Sequence, residues 1–142
     1  MSNDLSFMNH LLGIVPPEPK PSGIMFSNRR FTEPTLHRSA IRLGWPGIYA
    51  ILVYDVRCSP RPYRVVYFGE AQDLHARVTT SHEKYVAWCS AAGGSANVYV
   101  AFHWMLSSTE EQRVAEEARL IREYCPQCND TFNPFSGWLG RI

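Results

Sequence analysis

The sequence has no long apolar run, no basic leader and few cysteines. No stretch approaches the ~18 consecutive apolar residues that a membrane-spanning helix needs. The apolar residues 7–15 follow Asp4 rather than a basic cluster, and Asn9 and His10 interrupt them, which argues against a secretory signal. Four cysteines among 142 residues are too few to predict a disulfide framework. These absences argue against a membrane partner and predict a reduced, cytoplasmic setting.

The net charge is also small, at +1, but the charges are unevenly distributed. Residues 20–64 carry eight Lys or Arg and two acids, a net charge of +6, whereas residues 65–142 have a net charge of −3. A basic first half fits a surface that faces nucleic-acid phosphates, with Arg29 and Arg30 as its candidate contacts. An ordinary scatter of solvated arginines explains the same charges equally well, so charge alone leaves both alternatives open.

The composition, with 45% apolar and 19% charged residues, is that of one globular domain. Four prolines between positions 16 and 21 predict that residues 1–46 form a basic, partly irregular N-terminal arm, with at most a short helix over residues 35–42. Regular structure is predicted from Gly47 onward, and no internal repeat is visible. The domain division is therefore an arm of residues 1–46 and a domain of residues 47–142.

The pattern after Gly47 predicts the order β-β-α-β-α. Residues 48–54 and 63–68 are β-branched and aromatic, and the short loop between them favours a hairpin. Helices are predicted after Asp73, over residues 82–92, and from a capping signal near Thr109 to about residue 124, with a strand over residues 97–105. The predicted fold class is α/β (α+β), a small, mainly antiparallel three-stranded sheet flanked by helices. The alternation of strands and helices also allows parallel βαβ units.

Two charged side chains are placed by helical periodicity beside apolar residues. On the last helix, Glu117 lies about 60° from the centre of an apolar stripe, while Glu116 points to solvent. A carboxylate on that shoulder either pairs with a cation or holds a metal, and the ion pair is the commoner alternative. Arg77 shares a face with Leu74 and Val78, which suits either phosphate binding or a structural ion pair. The stripe itself comprises Val114, Ala118, Ile121 and Cys125.

Five elements occur in an order that resembles the GIY-YIG nuclease superfamily. They are Gly47-Ile48-Tyr49, Tyr67-Phe68-Gly69, Arg77, Glu117 followed by Leu120-Ile121, and Pro126 followed by Asn129. The spacings from Gly69 to Arg77 and from Glu117 to Asn129 also agree with that pattern. The chain departs from it at Phe68, an apolar replacement, and at Glu70, where many members carry Lys or Ser.

The resemblance implies a role for each matching residue. Tyr49, Tyr67, Arg77 and Glu117 match the catalytic residues of the family, and Glu117 also matches its metal-ligating glutamate. Gly69 and Asn129 match supporting residues. An accessory histidine or tyrosine of some members would fall at Ser81, and His82 lies one residue later, so its assignment rests on proximity alone.

The implied activity is metal-dependent hydrolysis of phosphodiester bonds by an endonuclease, with DNA, duplex or branched, as the partner. Mg²⁺ or Mn²⁺ is the implied cofactor, since Mg²⁺ often takes one or two carboxylates and keeps several waters. Tyr49 is a candidate proton acceptor, helped by Tyr67, and the alternative is that both tyrosines only position water. The competing interpretation is a module that has kept this fold but only binds nucleic acid or a protein partner. Without a separate recognition domain in the sequence, specificity is expected to come from the arm, a homodimer or a partner.

Overall fold

The computed structural model describes residues 23–129, which form six strands and three α-helices. The first three strands are short: β1 (Ile24–Phe26), β2 (Arg29–Phe31) and β3 (Thr35–Leu36). Next come β4 (Gly47–Tyr54), β5 (Tyr63–Ala71), α1 (Leu74–Arg77), α2 (Tyr85–Ala92), β6 (Tyr99–Trp104) and α3 (Glu110–Tyr124). Two 3-10 turns, His37–Ser39 and Ser95–Asn97, complete the described regular structure.

The main sheet has four strands in the order β3-β6-β4-β5. The three predicted strands are present, but the predicted number is wrong by one, because Thr35 and Leu36 pair with Val100 and Tyr99. Every pairing among the described strands is antiparallel, so the alternative of parallel βαβ units is wrong. The sheet is therefore an antiparallel layer with helices on both faces.

Residues 23–46 contribute regular structure on both sides of that sheet. Strands β1 and β2 form a separate hairpin, and its Phe31 is fully buried. The helix expected over residues 35–42 is absent, because Thr35 and Leu36 are held extended by β6 and only the 3-10 turn His37–Ser39 follows. The expected arm thus supplies part of the core within residues 23–46, and its residues 1–22 lie outside the described range.

Alternation along β4 creates two different cores. Tyr49, Ile51 and Val53 point to one face, here called the front, and Ile48, Ala50 and Leu52 point to the other, the back. Helix α2 covers the front with the buried Trp88. Helix α3 and the β1–β2 hairpin cover the back, through Leu120, Phe26 and Phe31.

Helix α3 begins as predicted but buries a different face. Thr109 and Gln112 form the complete capping box, with the Thr109 Oγ1 accepting from the Gln112 N–H at 3.1 Å. The predicted apolar stripe is wrong, because Val114 is 44% exposed and Cys125 is exposed. Arg113 and Leu120 are the buried residues of the helix. The helix therefore turns a face with charged side chains toward the sheet.

No helix within residues 23–129 is long and apolar enough to cross a membrane. All four cysteines are free thiols.

Candidate active site

The site begins with a cross-strand pair on the front face. Tyr49 of β4 lies opposite Gly69 of β5, and Tyr67 lies opposite Ile51. The Tyr49 ring crosses the backbone of Gly69 so closely that any Cβ at position 69 would collide with the ring and its hydroxyl. Glycine is therefore required at position 69, because only a residue without a side chain leaves room for the Tyr49 phenol.

A hydrogen-bonded chain runs from the Lys84 backbone through His82 to Tyr49. The Lys84 backbone N–H donates to His82 Nδ1 at 2.9 Å, and His82 Nε2 lies 2.7 Å from the Tyr49 hydroxyl. Burial, reinforced by the nearby Arg77, lowers the pKa of His82 to about 4, so the ring is neutral at neutral pH. Since Nδ1 already accepts a hydrogen bond, the single ring proton sits on Nε2 and is donated to Tyr49.

The two tyrosines differ in their burial and in the groups that contact their hydroxyls. Tyr49 is fully buried, and burial raises the pKa of its phenol far above the ordinary value. Its hydroxyl accepts from His82 and interacts with the Tyr67 hydroxyl, so its own proton is directed toward Tyr67. Burial also raises the pKa of Tyr67, but the Tyr49 hydroxyl and Arg77 act in the opposite direction. Tyr67 is 8% exposed and is therefore the less deeply buried of the two tyrosines.

Arg77 ends helix α1, which Asp73 caps by accepting from the Ala76 N–H at 3.1 Å. Its guanidinium binds Glu83 in a bidentate ion pair, at 2.8 Å from Nη1 to Oε1 and 2.6 Å from Nη2 to Oε2. The Arg77 side chain is 39% exposed and that of Glu83 60%. The hydrogen bonds to Glu83 raise the pKa of Arg77 and lower the pKa of Glu83 to about 2.

Glu117 projects from α3 toward the same site. Burial raises the pKa of Glu117, the neighbouring Glu70 carboxylate adds to the rise, and Arg77 acts in the opposite direction. No ion pair involving Glu117 is present among residues 23–129. Periodicity left the ion pair as the commoner alternative, and the described part of the chain contains none.

A buried arginine that the sequence did not single out balances Glu70. Arg113 precedes Glu117 by one helical turn and is only 4% exposed. Its Nε lies 3.1 Å from Glu70 Oε1, and its Nη1 donates to the Ser108 carbonyl at 3.0 Å. The position four residues before Glu117 on the same helix face is the sequence signal that would have identified it. Position 70, where the resemblance implies Lys or Ser, thus carries an acid that is paired with an arginine from α3.

Asn129 braces the strand that carries Tyr67 and Gly69. Its Oδ1 accepts from the Phe68 N–H at 2.9 Å, and its Nδ2 donates to the Phe68 carbonyl at 2.8 Å. The Cys128 N–H donates to the Val66 carbonyl at 2.8 Å. Residues 128 and 129 therefore satisfy the outer edge of β5, where a missing partner would leave strand groups unpaired.

The donor set around Glu117 fits a hard divalent cation. Glu117 is a partly buried carboxylate without an ion pair in the described chain, whereas the neighbouring Glu70 is held by Arg113. No group of three or more His, Cys, Asp or Glu that could hold a metal is found within residues 23–129. Mg²⁺ matches such a sparse set, because it usually keeps several waters and takes few protein carboxylates.

The structure brings Tyr49, Tyr67, Gly69, Arg77, His82 and Glu117 to one end of the sheet, with Asn129 behind them. Arg29 and Arg30 lie elsewhere, on the β1–β2 hairpin at the back. Arg29 forms an ion pair with Glu116 at 3.2 Å, and Glu116 also binds Arg119. The prediction that Glu116 points to solvent is wrong, since its side chain is only 10% exposed. The hairpin covers that side of α3. Glu83 and Arg113 are the site residues that the sequence missed.

No protein-family model matches the chain, and no curated protein sequence matches it. Solved structures of the N-terminal GIY-YIG endonuclease domain of UvrC from Thermotoga maritima are similar to it. The form bound to magnesium as its catalytic divalent cation has 20% identity and a TM-score of 0.42, over 63% of this chain and 88% of that one. A point mutant bound to its catalytic divalent cation has 20% identity and a TM-score of 0.43, over 64% and 89%.

The superfamily in those descriptions is the one that the sequence motifs resemble. Because the TM-scores are below 0.5 and the identities are at most 20%, this similarity carries no functional interpretation. The interpretation rests on the site residues and the distances between them.

Proposed function

We propose that this chain is a metal-dependent endonuclease of the GIY-YIG type, which hydrolyses phosphodiester bonds in DNA. The observation that carries the proposal is the convergence of two tyrosines, an arginine and a partly buried carboxylate from four separate elements, the carboxylate having no ion pair within residues 23–129. Such a set supplies a proton acceptor, a fixed positive charge and a metal ligand, which are the groups that phosphodiester hydrolysis requires. A protein that only binds DNA has no need of a buried phenol chain.

Tyr67 is the proton acceptor for the attacking water in this proposal. Tyr49 is fully buried and its hydroxyl accepts from His82, whereas Tyr67 is slightly exposed. Ionising a free phenol at pH 7 costs about 4 kcal/mol, given an ordinary pKa of about 10. Burial raises the pKa of Tyr67 and adds to that cost, and the Tyr49 hydroxyl and the charge of Arg77 offset part of it. Tyr49 and His82 then hold and orient Tyr67 rather than touch water.

Arg77 stabilises charge on the phosphoryl group. Its guanidinium is permanently charged and forked, which suits two oxygens of a phosphate, and Glu83 already occupies that fork with two oxygens in the same arrangement. Glu117 would hold Mg²⁺ or Mn²⁺, and the bound ion supplies further positive charge at the phosphate and the leaving oxygen. The buried Arg113 keeps Glu70 paired, so that the region beside Glu117 carries no second unbalanced anion.

The test is a plasmid-nicking assay with Mg²⁺, with Mn²⁺ and with EDTA. The wild-type chain is expected to nick supercoiled DNA only with metal, and Glu117→Gln is expected to abolish nicking and calorimetric Mn²⁺ binding while leaving the circular-dichroism spectrum unchanged. Glu111→Gln is the matched control, since Glu111 is an exposed residue of the same helix. Equal activity of the two variants would remove the metal role from Glu117.

The second candidate function is a DNA-binding module without catalysis. The feature that favours it is Glu83, whose carboxylate fills the Arg77 fork. A wild-type chain that binds DNA tightly but nicks nothing with either metal would establish this alternative and exclude the nuclease.

A further inference from the structure

Most arginines in the basic first half are neutralised inside the protein. Residues 23–64 contain seven arginines, and four of them form ion pairs with carboxylates. These four are Arg29, Arg57, Arg61 and Arg64. Arg38 and Arg42, by contrast, have no carboxylate partner among residues 23–129. The basic charge that remains available to a ligand is therefore more localised than the sequence suggests.

Residues 38–45, here called the 38–45 segment, are anchored to the helix that carries Arg77. The Trp45 carbonyl accepts from the Leu74 N–H at 3.1 Å, and the Arg42 carbonyl accepts from His75 Nδ1 at 3.2 Å. Both donors belong to α1 (Leu74–Arg77), whose last residue is Arg77. The segment is therefore continuous with the candidate active site and held by hydrogen bonds to its backbone carbonyls.

The exposed side chains of this segment are apolar, aromatic and cationic. Ile41 is 83% exposed and Trp45 is 43% exposed. The Trp45 ring packs edge-on against Trp104 at 5.3 Å, so one edge is fixed while part of the indole stays accessible. The Arg42 Nε is buried and has no hydrogen-bond partner within residues 23–129. A buried donor without an acceptor is costly, and a bound anion would satisfy it.

We propose that the 38–45 segment is the surface that binds DNA next to the cleavage site, an inference that rests on the proposed nuclease function. Arg38 and Arg42 bind backbone phosphates flanking the scissile one, and the accessible part of Trp45 packs against a base or sugar. The occupant is a nucleic acid rather than a protein because Arg38 and Arg42, which lack a carboxylate partner within residues 23–129, are both positive. The segment also adjoins Arg77, the proposed phosphate ligand. Binding here places the strand across Arg77 without using the hairpin on the back.

The test measures DNA affinity by fluorescence anisotropy at several salt concentrations, in EDTA so that no cleavage occurs. Arg38→Ala/Arg42→Ala is expected to bind more weakly and to lower the slope of log affinity against log salt by about 1.8, since each phosphate that is no longer neutralised lowers the slope by about 0.9. Arg29→Ala/Arg30→Ala removes the same charge from the hairpin and is expected to keep the wild-type slope. Equal slopes for wild type and Arg38→Ala/Arg42→Ala, or equal decreases in both double variants, would overturn the inference.

Trp45→Ala provides a readout that is independent of charge. We expect weaker binding with an unchanged salt slope, because stacking releases no counterions. Unchanged affinity of a folded Trp45→Ala protein would overturn the role of the indole. The nicking assay separates this inference from the function itself: a wild-type chain that nicks DNA while Arg38→Ala/Arg42→Ala binds normally refutes only the surface. A wild-type chain that neither binds nor nicks DNA refutes the function.

Discussion

The two faces of the main sheet are built from the same strands but serve different ends. The back is an aromatic core in which Phe26 packs edge-on against Phe31 and Phe68, at 5.2 and 5.3 Å. The front also contains aromatic rings, but Tyr49, Tyr67 and His82 there carry polar atoms linked to one another. The buried residues of the back core are all apolar, whereas the front core retains buried polar groups.

The difference follows from the alternation of side chains along a strand, which places polar site residues on one face of the sheet and apolar core residues on the other. Tyr49 and Ile48 are neighbours in β4, yet one joins the phenol chain and the other the back core. The front also includes the Trp88 indole N–H, which is buried without a hydrogen-bond partner within residues 23–129. Buried polar groups cost stability unless they are satisfied, so the Trp88 N–H is a cost that the front carries and the apolar back core does not. Substitutions on the two faces should therefore have separable effects.

The largest expected effect is on the back face and on stability. Phe31→Ala removes a fully buried ring from the core beneath the hairpin and is expected to lower the free energy of unfolding by about 3–5 kcal/mol. Urea denaturation followed by circular dichroism measures the decrease. The folded fraction is expected to nick DNA at the wild-type rate, and a slowed chemical step in that fraction would show that the faces are coupled.

Next is a change that acts on catalysis alone. Tyr67→Phe is expected to reduce nicking at least about a hundredfold, within the range for loss of a general base, while stability changes little. Tyr49→Phe is expected to reduce activity less, because the Tyr49 hydroxyl supports Tyr67 and does not reach water. Single-turnover rates of the two variants give the comparison. A more severe loss in Tyr49→Phe would return the role of proton acceptor to Tyr49.

The third prediction concerns acid and the front face. The folded protein keeps His82 neutral down to its lowered pKa of about 4, whereas the unfolded chain takes up the proton near pH 6.5. The stability that His82 contributes is therefore complete above pH 6.5 and falls toward pH 4, by up to about 1.4 kcal/mol per pH unit. His82→Gln is expected to flatten this part of the stability profile. Parallel profiles for wild type and variant, measured by urea denaturation, would contradict the assignment.

The smallest expected effect lies on the outer side of the back face. Glu116→Gln weakens the ion pairs with Arg29 and Arg119 and is expected to cost about 1 kcal/mol or less. DNA nicking is expected to remain unchanged, because these ion pairs join the hairpin to α3 away from Tyr67. Thermal unfolding at low and high salt measures the decrease in stability, which should shrink as salt screens the pairs. A decrease that salt does not reduce would point to packing instead.

The sequence predicted the elements whose pattern is long enough to be periodic. Strands β4 and β5 and helix α3 were expected near their observed bounds, and the Thr109 capping box was predicted from four residues. The hairpin was missed because β1 and β2 have three residues each, which is too short for alternation to be distinctive. Strand β3 has two residues and exists only through its pairing with β6.

The order of residues in the sequence predicted the candidate site residues, but it did not predict the charged side chains that pair with or lie beside them. Periodicity placed Glu117 on the sheet-facing side of α3 but assigned the buried stripe to Val114, because an apolar stripe is the ordinary guide to a buried face. The buried face contains Arg113 instead, and its placement is made favourable by the tertiary ion pair with Glu70 and by the hydrogen bond to the Ser108 carbonyl. Glu83 likewise follows Arg77 by six residues, a spacing that signals nothing until the turn after α1 folds back.

The Arg77–Glu83 ion pair affects the free energy that Arg77 can contribute to binding a phosphate. An incoming phosphate can occupy the guanidinium fork only by displacing a carboxylate that already makes two hydrogen bonds to it. The exchange replaces one bidentate anion by another, so the ground state gains little. Additional charge on the reacting phosphoryl group favours the phosphate over the carboxylate. In the proposed nuclease, the cost of displacing Glu83 would fall equally on the bound substrate and on its transition state, so it would weaken substrate binding without lowering turnover.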